Sequence, residues 1–313
     1  MNRREFNRTL AMAAATLAVG VAKGSPVATS PQLAITMDDF NWRGNTVRLS
    51  GEQRNRAILG TLSNHSLKAA LFVIGNNIES EAGKNLLRQW NDAGHMICNH
   101  SYSHQNYAAP TMTTAAFGAD ILRAESLLKD FPRFRKYFRF PMLKEGETAA
   151  KRDAMRSFLK QNGYRTGHVT VDSADWVIDP RLAKKLTEDP GADIARYRDF
   201  YLEHIWDRAQ YYDALAKRTV GRSVKHTLLT HFNLLNALFL GDLIDMFKQK
   251  GWQLIDAEDA FTDPVFAAQP KVLPAGESIV WSLAKESGKI DKDLRYPAED
   301  GAHEMARMDK LGL

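Results

Sequence analysis

Short apolar segments alternate with longer amphipathic segments along most of the chain. Residues 69–74 form a continuous apolar run of strand length, which is typical of a strand buried on both faces. Residues 81–93 instead place Leu86 and Trp90 one helical turn apart and end before Gly94, a residue favoured just beyond a helix C-terminus. The same reading of the whole chain gives seven strands separated by helices, which predicts a parallel α/β barrel or a doubly wound sheet.

The predicted elements and the regions that interrupt them can be stated by residue number. The predicted strands are 33–37, 69–74, 95–99, 136–140, 166–171, 226–230 and 252–255. The predicted helices are 52–62, 81–93, 113–129, 148–161 and 236–250. A charged, mostly helical insertion at about 178–222 interrupts the alternation, and a C-terminal extension at 267–313 follows it. We expect the extension to pack on the domain, with alternating apolar residues at 278–284 forming a further strand.

The insertion contains a stripe of large side chains at helical spacing. We expect a packing face there in preference to the alternative, a platform on which sugars stack. The stripe consists of Tyr197, Tyr201, Ile205 and Tyr212.

The N-terminus has the pattern of an export signal. Arg3, Arg4 and Arg8 precede an uncharged apolar run at 10–22, which is shorter than the roughly 20 residues that span a bilayer. This pattern predicts a secretory signal peptide over 1–28, a periplasmic or secreted mature protein, and no stable membrane insertion after the signal is removed. The first residues also resemble a twin-arginine signal, although Asn7 stands where a bulky apolar residue is usual, so the export route stays open.

Composition excludes several classes of protein. The 313 residues are 44% hydrophobic and 25% charged, the balance of an ordinary globular protein with a substantial core. The net charge is only +5 and no Lys/Arg-rich block accompanies it, so we expect no nucleic-acid partner. The single cysteine, Cys98, excludes an internal disulfide and a four-cysteine zinc site.

The candidate chemistry lies at the ends of predicted strands. Asp38 and Asp39 end the first strand, and His100 and His104 follow the third. Two histidines four residues apart converge on one cation if the stretch between them forms a helical turn. Neutral imidazoles with one carboxylate leave open positions on zinc or another divalent metal, as a catalytic site requires. The spacing of the two histidines is weak evidence alone, and the carboxylate pair at the matching end of another strand strengthens it.

Five short motifs resemble those of the polysaccharide deacetylases with a NodB homology domain (carbohydrate esterase family four). They occur in that family's order, each at the end of a predicted strand. In this sequence they read Thr36-Met37-Asp38-Asp39, His100-Ser101-Tyr102-Ser103-His104, Arg139-Phe140-Pro141-Met142, Asp172-Ser173-Ala174-Asp175-Trp176 and Leu229-Thr230-His231. The resemblance implies an α/β fold, a distorted (β/α)7 barrel over 29–266, which agrees with the count of seven strands.

The resemblance also implies a metal site and a base. It makes Asp39, His100 and His104 the ligands of a divalent metal, most simply zinc, with cobalt or manganese as alternatives. It makes Asp38 the general base that deprotonates a metal-bound water, oriented by Arg139.

The remaining motif residues are implied to act on the substrate. His231 protonates the leaving amine, and Asp172 tunes it. The backbone N–H of Met142 helps to hold the oxyanion, and Trp176 is expected beside the substrate.

The predicted function is that of a secreted metal-dependent deacetylase acting on N-acetyl groups, with O-acetyl groups as a further option, of a glycan. Such a reaction needs a water activated at neutral pH and an acid for the leaving amine. Two alternatives stay open: hydrolysis of another C–N bond in a small amide or imide, and an inactive carbohydrate-binding protein. Asp38 and His231 argue against the second alternative, because binding alone needs neither.

Overall fold

A parallel sheet of seven strands is the centre of the protein in this computed structural model. The structure describes residues 30–44, 46–290, 294–295 and 301–313, so the predicted signal peptide lies outside the described residues. The strands are β1 (Gln32–Asp38), β2 (Ala70–Val73), β3 (Met96–Asn99), β4 (Phe134–Phe138), β5 (Lys144–Gly146), β6 (Arg165–Thr166), β7 (Lys225–His231), β8 (Gln253–Leu254) and β9 (Ala275–Gly276).

Ten helices surround the sheet in the described part of the chain. They are α1 (Gly51–Asn64), α2 (Glu81–Asp92), α3 (Thr114–Leu128), α4 (Ala149–Gln161), α5 (Asp175–Glu188), α6 (Ala195–Val220), α7 (Leu234–Gln249), α8 (Ala257–Ala260), α9 (Ile279–Ser287) and α10 (Ala302–Leu311). Short 3₁₀ turns lie at Gly75–Ile78, Pro141–Leu143 and Pro264–Ala267. None of the described helices is both long and apolar enough to cross a bilayer.

The sheet curls into a distorted barrel around β1. Its order is β6-β4-β3-β2-β1-β7, and β8 also pairs with β1. Strand β7 follows β1 along its whole length, while β8 and β2 share the other edge of β1, at its beginning and its end respectively. Beyond β6, Val171 bridges to Leu228 of β7, which closes the curl. The predicted (β/α)7 barrel of seven parallel strands is therefore confirmed.

Two predicted strands differ from the observed elements. The segment 166–171 is regular only in β6, because the chain leaves β4 after two residues and next pairs with β7 at Val171. The segment 278–284 is a helix, α9, in which Ser278 is the N-cap and accepts a hydrogen bond from the Trp281 N–H. The helix buries nearly its whole circumference, so apolar residues at every second position did not distinguish a strand from a helix.

The insertion and the extension both pack on the barrel. The stripe Tyr197, Tyr201, Ile205 and Tyr212 is buried in the main core, which confirms a packing face. Strand β9 pairs antiparallel with β5, and α9 packs against α6. The parallel strands thus direct their carboxyl ends to one rim of the barrel, where the motif residues meet.

Candidate active site

The register of the sheet brings four motif residues to one rim. Asp38 and His231 are the last residues of β1 and β7 and are direct partners across the two strands. His100 and Arg139 are the first residues after β3 and β4. Residues far apart in sequence therefore become neighbours, because parallel strands end together.

Asp39, His100 and His104 form a cluster with the donor set of a metal site. One possible ligand atom from each lies within 4.8 Å of the others. The Nε2 atoms of His100 and His104 are 3.5 and 3.3 Å from Asp39 Oδ1. His100 Nδ1 lies 2.9 Å from the carbonyl oxygen of Arg139, and because a carbonyl only accepts, Nδ1 carries a proton and Nε2 is the nitrogen that faces the cluster.

The Asp39 carboxylate fits a cation between these groups. Its Oδ1 atom is buried and has no hydrogen-bond partner among the described residues. Burial favours the neutral acid, but His100 and His104 outweigh it and hold the pKa of Asp39 well below its usual range. A buried, ionised and unpartnered oxygen facing imidazole nitrogens is the arrangement that a divalent ion would satisfy.

The two histidines converge without the predicted helical turn. Ser101 and His104 take left-handed backbone conformations, with φ of 65° and 56°, and the His104 N–H donates to Ser101 Oγ at 3.0 Å. Asp39 is also left-handed, with φ of 76°. Such conformations are strained for residues other than glycine and cluster at functional sites.

Asp120 of α3 anchors the loop between His100 and His104, and no sequence pattern pointed to this residue. Its Oδ2 accepts the N–H groups of Tyr102 and Ser103 at 2.9 and 3.1 Å, and its Oδ1 accepts the Ser103 hydroxyl at 2.7 Å. The carboxylate therefore fixes the backbone immediately before His104.

Arg139 holds Asp38 from below the rim. Its Nη1 donates to Asp38 Oδ1 at 2.6 Å and to Thr36 Oγ1 at 2.9 Å, and its Nε donates to the Gly167 carbonyl at 2.8 Å. The guanidinium also lies over the Phe72 ring, 3.9 Å from its centre. Asp38 is only 2% exposed, so this charged hydrogen bond compensates its burial.

The carboxylate that pairs with His231 is Asp175, whereas the sequence predicted Asp172. His231 Nδ1 lies 2.7 Å from Asp175 Oδ1, and the His231 backbone N–H donates to Asp175 Oδ2 at 2.8 Å. Asn236 Nδ2 also donates to Asp175 Oδ2, at 2.7 Å. Burial alone would lower the pKa of His231, but Asp175, with smaller contributions from Asp39 and Asp38, raises it to about 10.

The path of the chain after Val171 explains why Asp175, and not Asp172, pairs with His231. After Val171 bridges to Leu228, the chain continues along β7, and Ser173 Oγ donates to the Leu229 carbonyl at 2.6 Å. The residue that reaches His231 is therefore Asp175, at the start of α5. Asp172 is buried, and its carbonyl accepts from Arg208 Nε of α6 at 3.3 Å. Asp172 and Asp175 belong to the same motif. The motif therefore indicated the segment that supplies the partner of His231 but did not distinguish between its two carboxylates.

The rim opens into one cavity of about 480 Å³. Met142 and Trp176 are 40% and 37% exposed and form its apolar walls. Lys144 of β5 also lines it, and nothing in the sequence pointed to that residue. The predicted residues lining the cavity are Asp38, Asp39, His100, His104, Met142, Trp176 and His231. Asp172 is absent from the lining among the described residues.

Known proteins resemble this chain in sequence and in fold. Residues 27–167 match the family model described as polysaccharide deacetylase. The peptidoglycan-N-acetylmuramic acid deacetylase PdaA of Bacillus subtilis is 26% identical over 151 residues, 48% of this chain and 54% of that protein. The peptidoglycan-N-acetylglucosamine deacetylase of Bacillus cereus is 28% identical over 120 residues, 38% of this chain and 40% of that protein.

The sequence matches cover part of each relative, and the likeness to solved structures is one of fold. The chain spans about half the length, or less, of the curated relatives it matches. The structure of the chitin deacetylase from Colletotrichum lindemuthianum superposes with a TM-score of 0.50 and 19% identity, over 74% of this chain and 88% of that one, which supports the fold alone. Together with the barrel and the match to the family model, these findings show that the chain is similar to the NodB-type polysaccharide deacetylases.

Proposed function

We propose that this protein is a metal-dependent hydrolase that removes N-acetyl groups from a polysaccharide or oligosaccharide. The observation that carries the proposal is the buried, unpartnered Oδ1 of Asp39 facing the Nε2 atoms of His100 and His104. A second carboxylate, Asp38, and a histidine with a raised pKa, His231, line the same cavity. Binding a sugar would require neither of the last two groups.

The metal would be held by Asp39, His100 and His104. Two imidazoles and one carboxylate suit zinc with open coordination positions, and cobalt or manganese accept the same donors. When bound, such an ion supplies an activated water near neutral pH and polarises the acetyl carbonyl.

Asp38 is the proposed general base. Its Oδ1 accepts from Arg139, while its Oδ2 is 3.7 Å from His100 Nε2 and therefore lies on the side of the ligand cluster. The guanidinium fixes the direction of the carboxylate, so that Oδ2 takes the proton of the attacking water.

His231 is the proposed general acid. Its Nδ1 is engaged by Asp175, and its pKa of about 10 keeps the ring protonated at neutral pH. Nε2 then delivers a proton to the leaving amine, which is a poor leaving group unless protonated. In this proposal the Met142 N–H stabilises the oxyanion and the Trp176 ring packs against the sugar.

We propose that the substrate is an N-acetylated glycan met outside the cytoplasm. The predicted signal at 1–28 supports export, with the twin-arginine route as one candidate. The names of both curated relatives refer to peptidoglycan, which makes that polymer the first glycan to test.

The decisive experiment measures acetate release from chitin oligomers, peptidoglycan, other N-acetylated glycans and O-acetylated xylan, with zinc, cobalt or manganese present. We expect release from at least one N-acetylated glycan. Asp38→Asn and His231→Ala should each keep the metal and lose roughly 100-fold to 10,000-fold in turnover. No release from any glycan would contradict the proposal, and turnover of small amides alone would favour a hydrolase of another C–N bond.

A further inference from the structure

The C-terminal extension touches the segment that follows the proposed oxyanion residue. Strand β9 pairs with β5, and the Glu277 N–H donates to the Leu143 carbonyl at 3.2 Å. Gly276 has a φ of 118°, and a Cβ on it would lie 1.7 Å from the same carbonyl oxygen. The approach is so close that only glycine fits, and it brings Glu277 beside the active site.

One oxygen of Glu277 holds a cation of the cavity wall. Glu277 is 5% exposed, and its Oε1 accepts from Lys144 Nζ at 2.7 Å. Lys144 is one of the residues that line the active-site cavity. Because a buried carboxylate needs a close partner, the ion pair fixes where the Lys144 ammonium stands.

The other carboxylate oxygen of Glu277 is buried and needs a hydrogen-bond donor. Glu277 Oε2 and Arg139 Nη2 are both buried, and neither has a hydrogen-bond partner among the described residues. Both side chains line one small cavity of about 10 Å³, together with His168 and Gly167. A cavity of that size holds about one water molecule. A water that accepts from Nη2 and donates to Oε2 would satisfy both atoms.

We propose that Glu277 is a positioning residue of the active site. It holds Lys144 at the cavity wall through Oε1 and, through one buried water, holds Arg139 through Oε2. Since Arg139 fixes Asp38, the C-terminal extension reaches the proposed general base, although it lies beyond the residues that match the family model. The contacts stand independently, whereas their effect on turnover rests on the proposed deacetylase function.

The first test requires no substrate. A high-resolution crystal structure of the full chain should show one water within hydrogen-bond distance of Glu277 Oε2 and Arg139 Nη2. The Glu277→Gln variant should either lose that water or hold it in a different position. A dry cavity in the wild-type protein would overturn the link to Arg139.

A double-mutant cycle tests the link to Lys144. Lys144→Met leaves a buried carboxylate unpaired in the wild-type background and a neutral amide in the Glu277→Gln background. The urea midpoint should therefore fall more for Lys144→Met alone than when Glu277→Gln is already present. Equal shifts in the two backgrounds would overturn this link.

Kinetics on a glycan that the wild-type protein deacetylates then distinguish a positioning role of Glu277 from a general effect on folding. Glu277→Gln should lower kcat roughly 10-fold to 100-fold, the range for residues that orient a ligand or base, with metal content unchanged. The matched control is Ser278→Ala, which removes both the 2.8 Å bond to the Thr170 carbonyl and the N-cap of α9. This variant leaves the groups that bond Lys144 and Arg139 in place. Equal kcat for the two variants would overturn the positioning role. If the wild-type protein deacetylates nothing, the proposed function fails, while the water and the cycle still decide the role of Glu277.

Discussion

Neighbouring carboxylates at the rim differ because the backbone turns between them. Asp38 still belongs to β1 and bonds Arg139, whereas Asp39 is left-handed and faces the two imidazoles. Similarly, Asp172 and Asp175 are three residues apart, yet only Asp175 bonds His231 in the described structure. At the scale of single residues, the direction of the backbone at each position determines which partner each carboxylate contacts.

The Asp175 pair should control the alkaline limit of activity. An acid must be protonated to act, so activity falls as pH rises through the pKa of His231, which is raised to about 10. Asp175→Asn removes the charge that raises this pKa, and the alkaline limb of kcat against pH should move to lower pH. Asp172→Asn is the matched control and should leave the limb in place. A limb that moves for Asp172→Asn but not for Asp175→Asn would restore the original assignment.

At the scale of elements, the helical insertion supports the loop that carries Asp175. His204 of α6 accepts the Ala174 N–H through Nε2 at 3.0 Å, and Arg208 bonds the Asp172 carbonyl. Helix α5 then joins α7, because Asp175 bonds Asn236 and Asp179, one turn later, accepts the Leu235 N–H at 2.8 Å. Both carboxylates therefore accept hydrogen bonds at the N-terminus of α7.

Asp179 should make the stability of this junction depend on pH. Burial, with a smaller contribution from Asp175, raises the pKa of Asp179 from 3.8 to about 6. The stability from this group is complete below the unfolded pKa and is lost as pH rises through the folded pKa, by about 2 to 3 kcal/mol. Asp179→Asn keeps an acceptor for Leu235 and removes the charge.

Urea unfolding of the wild-type protein and of Asp179→Asn at pH 4 and pH 8 tests this pH dependence of stability. Relative to wild type, the free energy of unfolding of Asp179→Asn should increase between pH 4 and pH 8. A difference that does not change with pH would show that Asp179 is not buried as an ionisable group.

At the scale of the whole molecule, the metal site joins strands through the loops that follow them. Asp39 follows β1, and His100 and His104 follow β3, so an ion held by all three would tie separate parts of the barrel. Binding to the folded state alone stabilises it, by about 2.7 kcal/mol when the ligand is present at 100 times its Kd.

Chelation should therefore lower both the melting temperature and the activity. Removing the metal should reduce Tm by several degrees and abolish acetate release, and added zinc, cobalt or manganese should restore both. The control is Asp39→Asn, whose Tm should not respond to chelator or zinc. Full activity after exhaustive chelation would contradict the metal assignment.

Much of the fold could be predicted from local patterns. The hydrophobic pattern is complete within a few residues in the run at 69–74 and in the amphipathic helix at 81–93. Burial on one or both faces could therefore be predicted without knowing which elements pack against them. The same holds for the candidate metal ligands, because parallel strands always end on the same rim and the motif residues stand at those ends. The segment 278–284 marks the limit, since a helix and a strand buried on most sides have similar patterns.

The remaining features depended on which distant segments meet. Asp175 pairs with His231 because Val171 pairs with Leu228 of β7. That pairing sets the register between the two segments, and with it the residue that lies beside His231. The contacts of Glu277 follow from the docking of β9 on β5. The sequence by itself determined the alternation of seven strands with helices and the residue types at the strand ends, because both are local properties of the chain. Only the tertiary structure decided which carboxylate serves which partner, because that depends on strand register and on the closure of the sheet.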